Sequence, residues 1–231
     1  MTTIAANLQA VRARIAAACV AAGRPVESVR LLAVSKTWPA AGVCEAIAAG
    51  QRAFGENYVQ EAIDKKAELA SLSPDPGLEW HFIGPLQSNK TRLVAENFAW
   101  VHSVDRLKIA ERLSAQRPPD LAPLQICLQV NVSGEVSKSG CPPAEVDALA
   151  CAIAALPHLR LRGLMAIPEP SEDPARQREP FAVLRRLRDS LNMPLDTLSM
   201  GMSHDLEAAI MEGATLVRVG TAIFGQRNYT T

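Results

Sequence analysis

"RLLAVSKTWPAAGVCEAIAAGQRAFGENYVQEAIDKKAELAS", residues 30–71, contains two short apolar runs, each followed by a longer segment with helical spacing. Arg30–Ser35 and Gln51–Gly55 read as strands, Pro39–Ala49 and Asn57–Ser71 as helices, and Pro39 suits a first helical turn. Both runs are apolar on both faces, as strands of a parallel sheet covered by helices must be.

The same alternation continues outward. It predicts strands over Glu79–Ile83, Trp100–Val104, Pro123–Val132, Leu161–Ala166, Thr197–Met200 and Leu216–Val219. Helical patterns follow at Ser88–Asn97, Asp105–Gln116, Pro143–Leu156, Pro174–Leu191 and His204–Glu212. A leading helix carries Ile4, Leu8, Val11 and Ile15 and stops near Gly23, a favourable C-terminal residue. Eight strand–helix units in 231 residues fit an α/β fold of the (β/α)8 TIM-like barrel type, usually about 250 residues long, preceded by an N-terminal helix. A doubly wound open sheet is the alternative, because one sequence does not state strand order. No composition shift divides the chain, so residues 1–231 are expected to form a single barrel domain. The proline-rich segments 71–77, 115–123 and 167–180 read as loops; the last is a surface loop in preference to a lid.

Composition narrows the function. Basic and acidic residues balance at 24 each, and hydrophobic residues make up 48%. With no electropositive stripe, a nucleic-acid partner is not expected, and a small molecule is the better ligand class. The five cysteines are odd in number and form no C-x-x-C pair, consistent with reduced thiols in a cytoplasmic protein. Arg12 and Arg14 interrupt the alanine-rich N-terminus, which therefore reads as an amphipathic helix and not as a leader or membrane span. The four histidines lack H-x-x-x-H spacing, so no metal site is expected.

In such a barrel the ligand sits at the C-terminal strand ends. Lys36 follows the first strand, Glu56 and Asn57 the second, "SMGMSHD" (199–205) begins in the seventh, and Gly220 and Thr221 follow the eighth. His81 and His102, near consecutive strand ends, read as pocket residues or as hydrogen-bonded structural ones. Gly201 permits a tight path and Ser203 can cap the next helix, so two adjacent turns form an anion cradle of the kind these barrels use for phosphate. A lysine after a strand is more often a snorkelling surface cation. Beside a phosphate cradle, however, its amine can form an imine with a phosphorylated aldehyde, pyridoxal 5′-phosphate (PLP) being the obvious one. Arg218, pointing inward from the eighth strand, would then face the pyridine nitrogen.

"AVSKTWP", "FGENYVQEA", "WHFIGPLQSNK", "VNVSGEVSKSG", "GLMAIPEP" and "LSMGMSHDLEAAIMEGATLVRVGTAIFGQR" together resemble the pyridoxal phosphate homeostasis protein family, from about residue 5 to 229. The resemblance implies a barrel like the N-terminal domain of alanine racemase. It further implies PLP held on Lys36 as an aldimine, phosphate on Ser203 and the amides of Gly220 and Thr221, and the pyridine nitrogen on Arg218. Asn57, Met165, Met200, Gly201 and Met202 are expected to line the pocket. His204 departs from the family pattern, where Asp is expected, and is read as solvent-exposed; Asp205 is placed in the first turn of the following helix.

An imine-forming lysine serves either an amino-acid racemase or a cofactor carrier. A two-base racemisation needs a facing acid or base, which alanine racemase takes from a further domain of its partner subunit. This sequence stops after the eighth unit, and neither Tyr58 nor Tyr229 is an obvious substitute. The expected role is intracellular PLP homeostasis, by buffering and delivery to PLP-dependent apoenzymes, with a PLP-dependent racemase as the alternative. Lys138 is a candidate transient acceptor of the aldehyde, weighed against plain surface charge. The chain is expected to be a cytoplasmic monomer with no membrane partner.

Overall fold

The computed structural model describes residues 3–72, 77–134 and 139–226. Its strands are β1 (Arg30–Val34), β2 (Ala53–Glu56), β3 (Glu79–Phe82), β4 (Trp100–Val104), β5 (Leu124–Gln129), β6 (Leu159–Met165), β7 (Thr197–Ser199) and β8 (Leu216–Val219). Neighbouring strands pair in parallel and in chain order, and β8 closes onto β1 with Arg30 opposite Leu216. Closure rules out the open-sheet alternative. The helices are α1 (Ile4–Ala21), α2 (Ala40–Ala48), α3 (Val59–Leu72), α4 (Thr91–Asn97), α5 (Leu107–Gln116), α6 (Val146–Ala154), α7 (Pro174–Ser190), α8 (Leu206–Met211) and α9 (Thr221–Phe224).

Boundary differences have local causes. β2 begins at Ala53, not Gln51, because the backbone N of Gln51 still donates to Ala46 O at 2.9 Å, closing the turn after α2, while its side-chain amide donates to the carbonyls of Leu31 and Ala53 at 2.9 and 2.8 Å. β5 ends at Gln129 because the chain beyond it pairs with Cys141: Cys141 N donates to Gln129 O, and Asn131 N to Cys141 O, each at 2.9 Å. Short 3-10 turns, Ser88–Lys90 and Pro143–Glu145, precede α4 and α6 within the spans predicted as helix.

Apolar side chains on the outer strand face, such as Phe54, Phe82 and Leu128, meet Leu69, Ile109, Leu113, Ile153 and Phe181 from the helices. Fully burying each stabilises the fold by about 1.5–3 kcal/mol before chain entropy is counted. The barrel interior has two small apolar clusters, Leu32 with Ala53 and Leu216, and Trp100 with Cys127 and Met165. Polar side chains occupy much of the remainder.

By length and composition α1 is apolar enough to cross a membrane. Here Leu8, Val11, Ile15, Ala18 and Cys19 are buried, and the helix packs on α2, α8 and α9. Gly23 ends it at φ 63°, where Arg24 N donates back to Cys19 O at 2.9 Å, a Schellman-type close that favours glycine. The Arg24 guanidinium then donates to the carbonyls of Ile210 and Ala214. The first helix is thereby tied to the elements that follow β7.

Candidate functional site

β1 stops at Val34, and the next residues form a tight turn around Lys36. Thr37 sits at φ 65°, in the left-handed region that a β-branched residue seldom enters. Such strain costs on the order of 1–3 kcal/mol and persists only where surrounding bonds enforce it. Here a charged cluster beneath the turn does so. Lys65 Nζ donates to Ser35 O at 2.8 Å, to Glu56 Oε1 at 2.6 Å and to Glu61 Oε1 at 3.0 Å. Glu61 also accepts from Thr37 N at 2.5 Å, and the Ser35 hydroxyl donates to Glu56 at 2.7 Å. The peptide groups on either side of Lys36 are therefore both clamped. Burial pushes the Glu56 carboxyl above its usual range, against the pull of Lys65. Glu56 faces the helix layer and belongs to the support of the site, not to its wall.

Lys36 is half-buried and lines a pocket of about 250 Å³ at the C-terminal ends of the strands. Arg218 reaches the same pocket from β8. The residue is 4% exposed, and its guanidinium donates to Ser199 Oγ at 2.7 Å and to Ala166 O at 2.9 Å. Burial lowers its pKa to about 10, while Asp205 and Cys127 act the other way, so it remains a cation at neutral pH. Asn57 lines the wall with a buried Oδ1 that has no protein partner among the described residues. The backbone at Gly84 lies so close to Asn57 that a Cβ there would stand 2.3 Å from the Asn57 carbonyl oxygen, which fixes that wall in place.

The turns after β7 and β8 meet at the opposite side. Gly201 has φ 94°, and a Cβ on it would stand 2.6 Å from the Cβ of Ala209, so only glycine lets the chain pass there. Ser203 does not cap α8 as expected. Its hydroxyl instead accepts from Ala222 N at 3.4 Å, joining the two turns. Asp205 holds the N-cap position of α8, and its carboxylate accepts from Met202 N at 2.5 Å, closing the loop on itself. Arg14 of α1 completes the support, donating to Ser203 O at 3.0 Å and gripping Glu207 at 2.7 and 2.9 Å.

An amine, a buried guanidinium and two polar turns thus converge on one cavity smaller than the roughly 300–1,000 Å³ typical of drug-sized ligands. The alanine racemase N-terminal domain model matches residues 6–228. The pyridoxal phosphate homeostasis protein of Pseudomonas aeruginosa is 66% identical over 229 residues, spanning 99% of this chain and 98% of its own length. The chain belongs to the pyridoxal phosphate homeostasis protein family. PipY of Synechococcus elongatus, whose structure has been determined with PLP bound, is 42% identical with a TM-score of 0.84, over 96% of this chain and 100% of PipY. An alanine racemase from Bartonella henselae is only 16% identical but superposes with a TM-score of 0.71, over 99% of this chain and 60% of its own. That last likeness concerns the barrel alone.

Of the ten residues singled out from the sequence, the structure gathers Lys36, Asn57, Met202, Ser203, Arg218, Gly220 and Thr221 around the pocket. Three do not line it. Met165 is wholly buried inside the barrel against Trp100 and Cys127. Met200 lies in the core between barrel and helices, because strand alternation turns it outward. Gly201 is buried behind the turn it shapes. His204 is exposed, as expected, and borders the pocket mouth. Segment 167–173 is a surface connection into α7, with Ile167 at the mouth. Lys138 and Tyr229 lie outside the described residues.

Sequence reasoning missed Val34, Trp38, Ile83 and Gly225 on the wall. It also missed Lys65, Glu61 and Arg14, whose roles depend on partners far along the chain. A lysine on α3 four residues after Glu61 was the one visible sign of the supporting cluster.

Proposed function

We propose that the protein binds PLP and holds it as an aldimine of Lys36, with the phosphate on Ser203 and the amides of Gly220 and Thr221 and the pyridine nitrogen facing Arg218. The convergence of Lys36, Arg218 and the two linked turns on one small cavity carries this reading. The donor set fits the cofactor: an amine for its aldehyde, a permanent cation for its ring nitrogen, hydroxyl and amide groups for its phosphate, and the unpartnered Asn57 Oδ1 for a ligand donor. Condensation of the amine with the aldehyde releases one water, and hydrolysis returns both, so loading and unloading need no other reactant.

The protein acts as a cytoplasmic reservoir and carrier, as a single-domain monomer that delivers PLP to apoenzymes. Two features support carriage over catalysis. A relative 66% identical is named a homeostasis protein. No tyrosine lines the pocket among the described residues, and Tyr58 is 55% exposed outside it, so a second base facing Lys36 is not supplied there.

The test is an absorbance titration with PLP, then borohydride reduction and peptide mapping. The adduct is expected on Lys36, and Lys36→Ala is expected to lose the visible band while retaining weak phosphate-dependent binding. A reduced adduct on any other residue would refute the assignment. Exchange of the Cα proton of alanine or serine in deuterated water at catalytic rates would overturn the carrier role in favour of the racemase one.

A further inference from the structure

TIM-type barrels fill their interior with layers of branched apolar side chains. This barrel instead has an unbroken row of polar contacts running from its foot to the pocket. At the foot, Arg30 Nη2 lies 2.6 Å from Glu79 Oε1, beside a surface cavity of about 230 Å³ that Arg30 lines. Glu79 Oε1 lies 2.8 Å from His81 Nε2, and His81 Nδ1 lies 2.8 Å from His102 Nε2. His102 Nδ1 lies 2.7 Å from Ser199 Oγ, which accepts from Arg218 at 2.7 Å. His81, His102 and Ser199 are fully buried. The proposed chemistry uses none of these four side chains.

Proton counting gives the row one direction. Glu79 is held ionised down to about pH 2, chiefly by its bond from His81, and a carboxylate only accepts. His81 must therefore carry its hydrogen on Nε2. Burial keeps both imidazoles neutral, and a neutral imidazole has one N–H, so His81 Nδ1 accepts and His102 Nε2 donates. His102 Nδ1 then accepts in turn, from the Ser199 hydroxyl. Ser199 has one hydrogen, so once it is committed to His102 its oxygen faces Arg218 as an acceptor. Between Arg218 and Glu79 every donor points towards Glu79, which Arg30 meets from the other side, an arrangement in which each bond polarises the next. The other charged or titratable groups around the row are Arg30 of β1, Cys127 of β5, Asp205 before α8, and Arg162 of β6. Arg162 lies 4.9 Å over the Trp100 ring, which itself stacks on His81 at 5.3 Å.

We propose that Glu79, His81, His102 and Ser199 are positioning residues that act as one relay, fixing the orientation of Arg218, whose guanidinium can only donate and so leaves the PLP ring nitrogen unprotonated. This rests on the reading that Arg218 faces that nitrogen. Through the relay a carboxylate at the far end of the barrel acts on a cofactor it never touches. It also makes the foot of the barrel a remote control point for the electronic state of the ring.

Two measurements test it, with Glu79→Gln and Ser199→Ala as variants. Neither residue touches the pocket. In ligand-free protein with 15N-labelled histidine, His81 and His102 are expected as single Nε2–H tautomers. In Glu79→Gln, whose amide both donates and accepts, mixed tautomers are expected. In PLP-loaded protein, both variants are expected to change the ratio of the two near-ultraviolet and visible bands in the same direction. The change should be about twofold to tenfold, equivalent to about one hydrogen bond. Mixed tautomers in the unsubstituted protein, or loaded Glu79→Gln with an unchanged band ratio, would overturn the relay while leaving PLP binding intact. Absence of any visible band in the unsubstituted protein would instead refute the cofactor assignment, and the relay to it.

Discussion

Acidification from about pH 7.5 to about pH 5.5 is expected to destabilise the native state through His81 and His102 by at most about 1.4 kcal/mol per ring, the ceiling set by proton uptake in the unfolded chain. Both rings are wholly buried and hydrogen-bonded at both nitrogens. Burial lowers the affinity of each for a proton, and for His102 the nearby His81 and Arg218 lower it further. The unfolded chain takes up a proton on each ring at a pKa of about 6.5, while burial makes each folded ring a weaker base, with the Glu79 bond opposing this at His81. Stability is therefore full above that value and falls below it by at most about 1.4 kcal/mol per pH unit per ring. Glu79 works in the same direction but lower, its contribution being lost only as pH falls from about 4.5 towards about 2. The assay is urea unfolding followed by tryptophan fluorescence at several pH values, with a melting-temperature drop of about 5–10 °C across the window as a second readout. Replacing one ring, as in His102→Gln, should remove that ring's share of the pH-dependent part, at most about 1.4 kcal/mol. A loss below about 0.5 kcal/mol in the unsubstituted protein, or an identical pH profile in the His81→Gln/His102→Gln double variant, would refute the argument that the rings are buried neutral.

Other perturbations probe the supports of the pocket. Lys65→Met leaves Glu56 buried without its cation and should cost about 3–5 kcal/mol in thermal or urea unfolding, with part of the loss recovered by adding Glu56→Gln. Gly201→Ala combines the positive φ with a 2.6 Å clash; a loss of about 1–3 kcal/mol and weaker PLP binding by absorbance titration are expected. Arg14→Gln removes a half-exposed ion pair worth at most about 1 kcal/mol, so melting should barely move while PLP affinity falls as Ser203 loosens. Burial pushes the Cys127 and Cys141 thiols up to about 12, whereas Cys151 is exposed; a thiol reagent at mild alkaline pH should label Cys151 first and leave those two unmodified until the protein unfolds.

The strand–helix alternation was legible because it is local. Apolar runs of strand length and helical spacing are properties of neighbouring residues, and eight such units left few ways to bury every strand on both faces. That Lys36, Ser203, Arg218, Gly220 and Thr221 line one pocket was likewise readable, since a barrel brings every C-terminal strand end to one rim. Met165 and Met200 show where that reasoning stops: sharing a rim does not tell which side of the strand a residue faces, and one step of alternation sends Met200 into the outer core. The sequence by itself thus determined the barrel and placed Lys36 on its rim. Only the tertiary structure decided what holds them, because the contacts that do so join residues distant in sequence. Lys65 reaches Ser35, Arg14 reaches Ser203, and Glu79 meets Arg218 through a row of buried side chains from three different strands. Hydrogen-bond networks of this kind depend on which atoms closure brings within 3 Å, and no spacing along the chain encodes that distance.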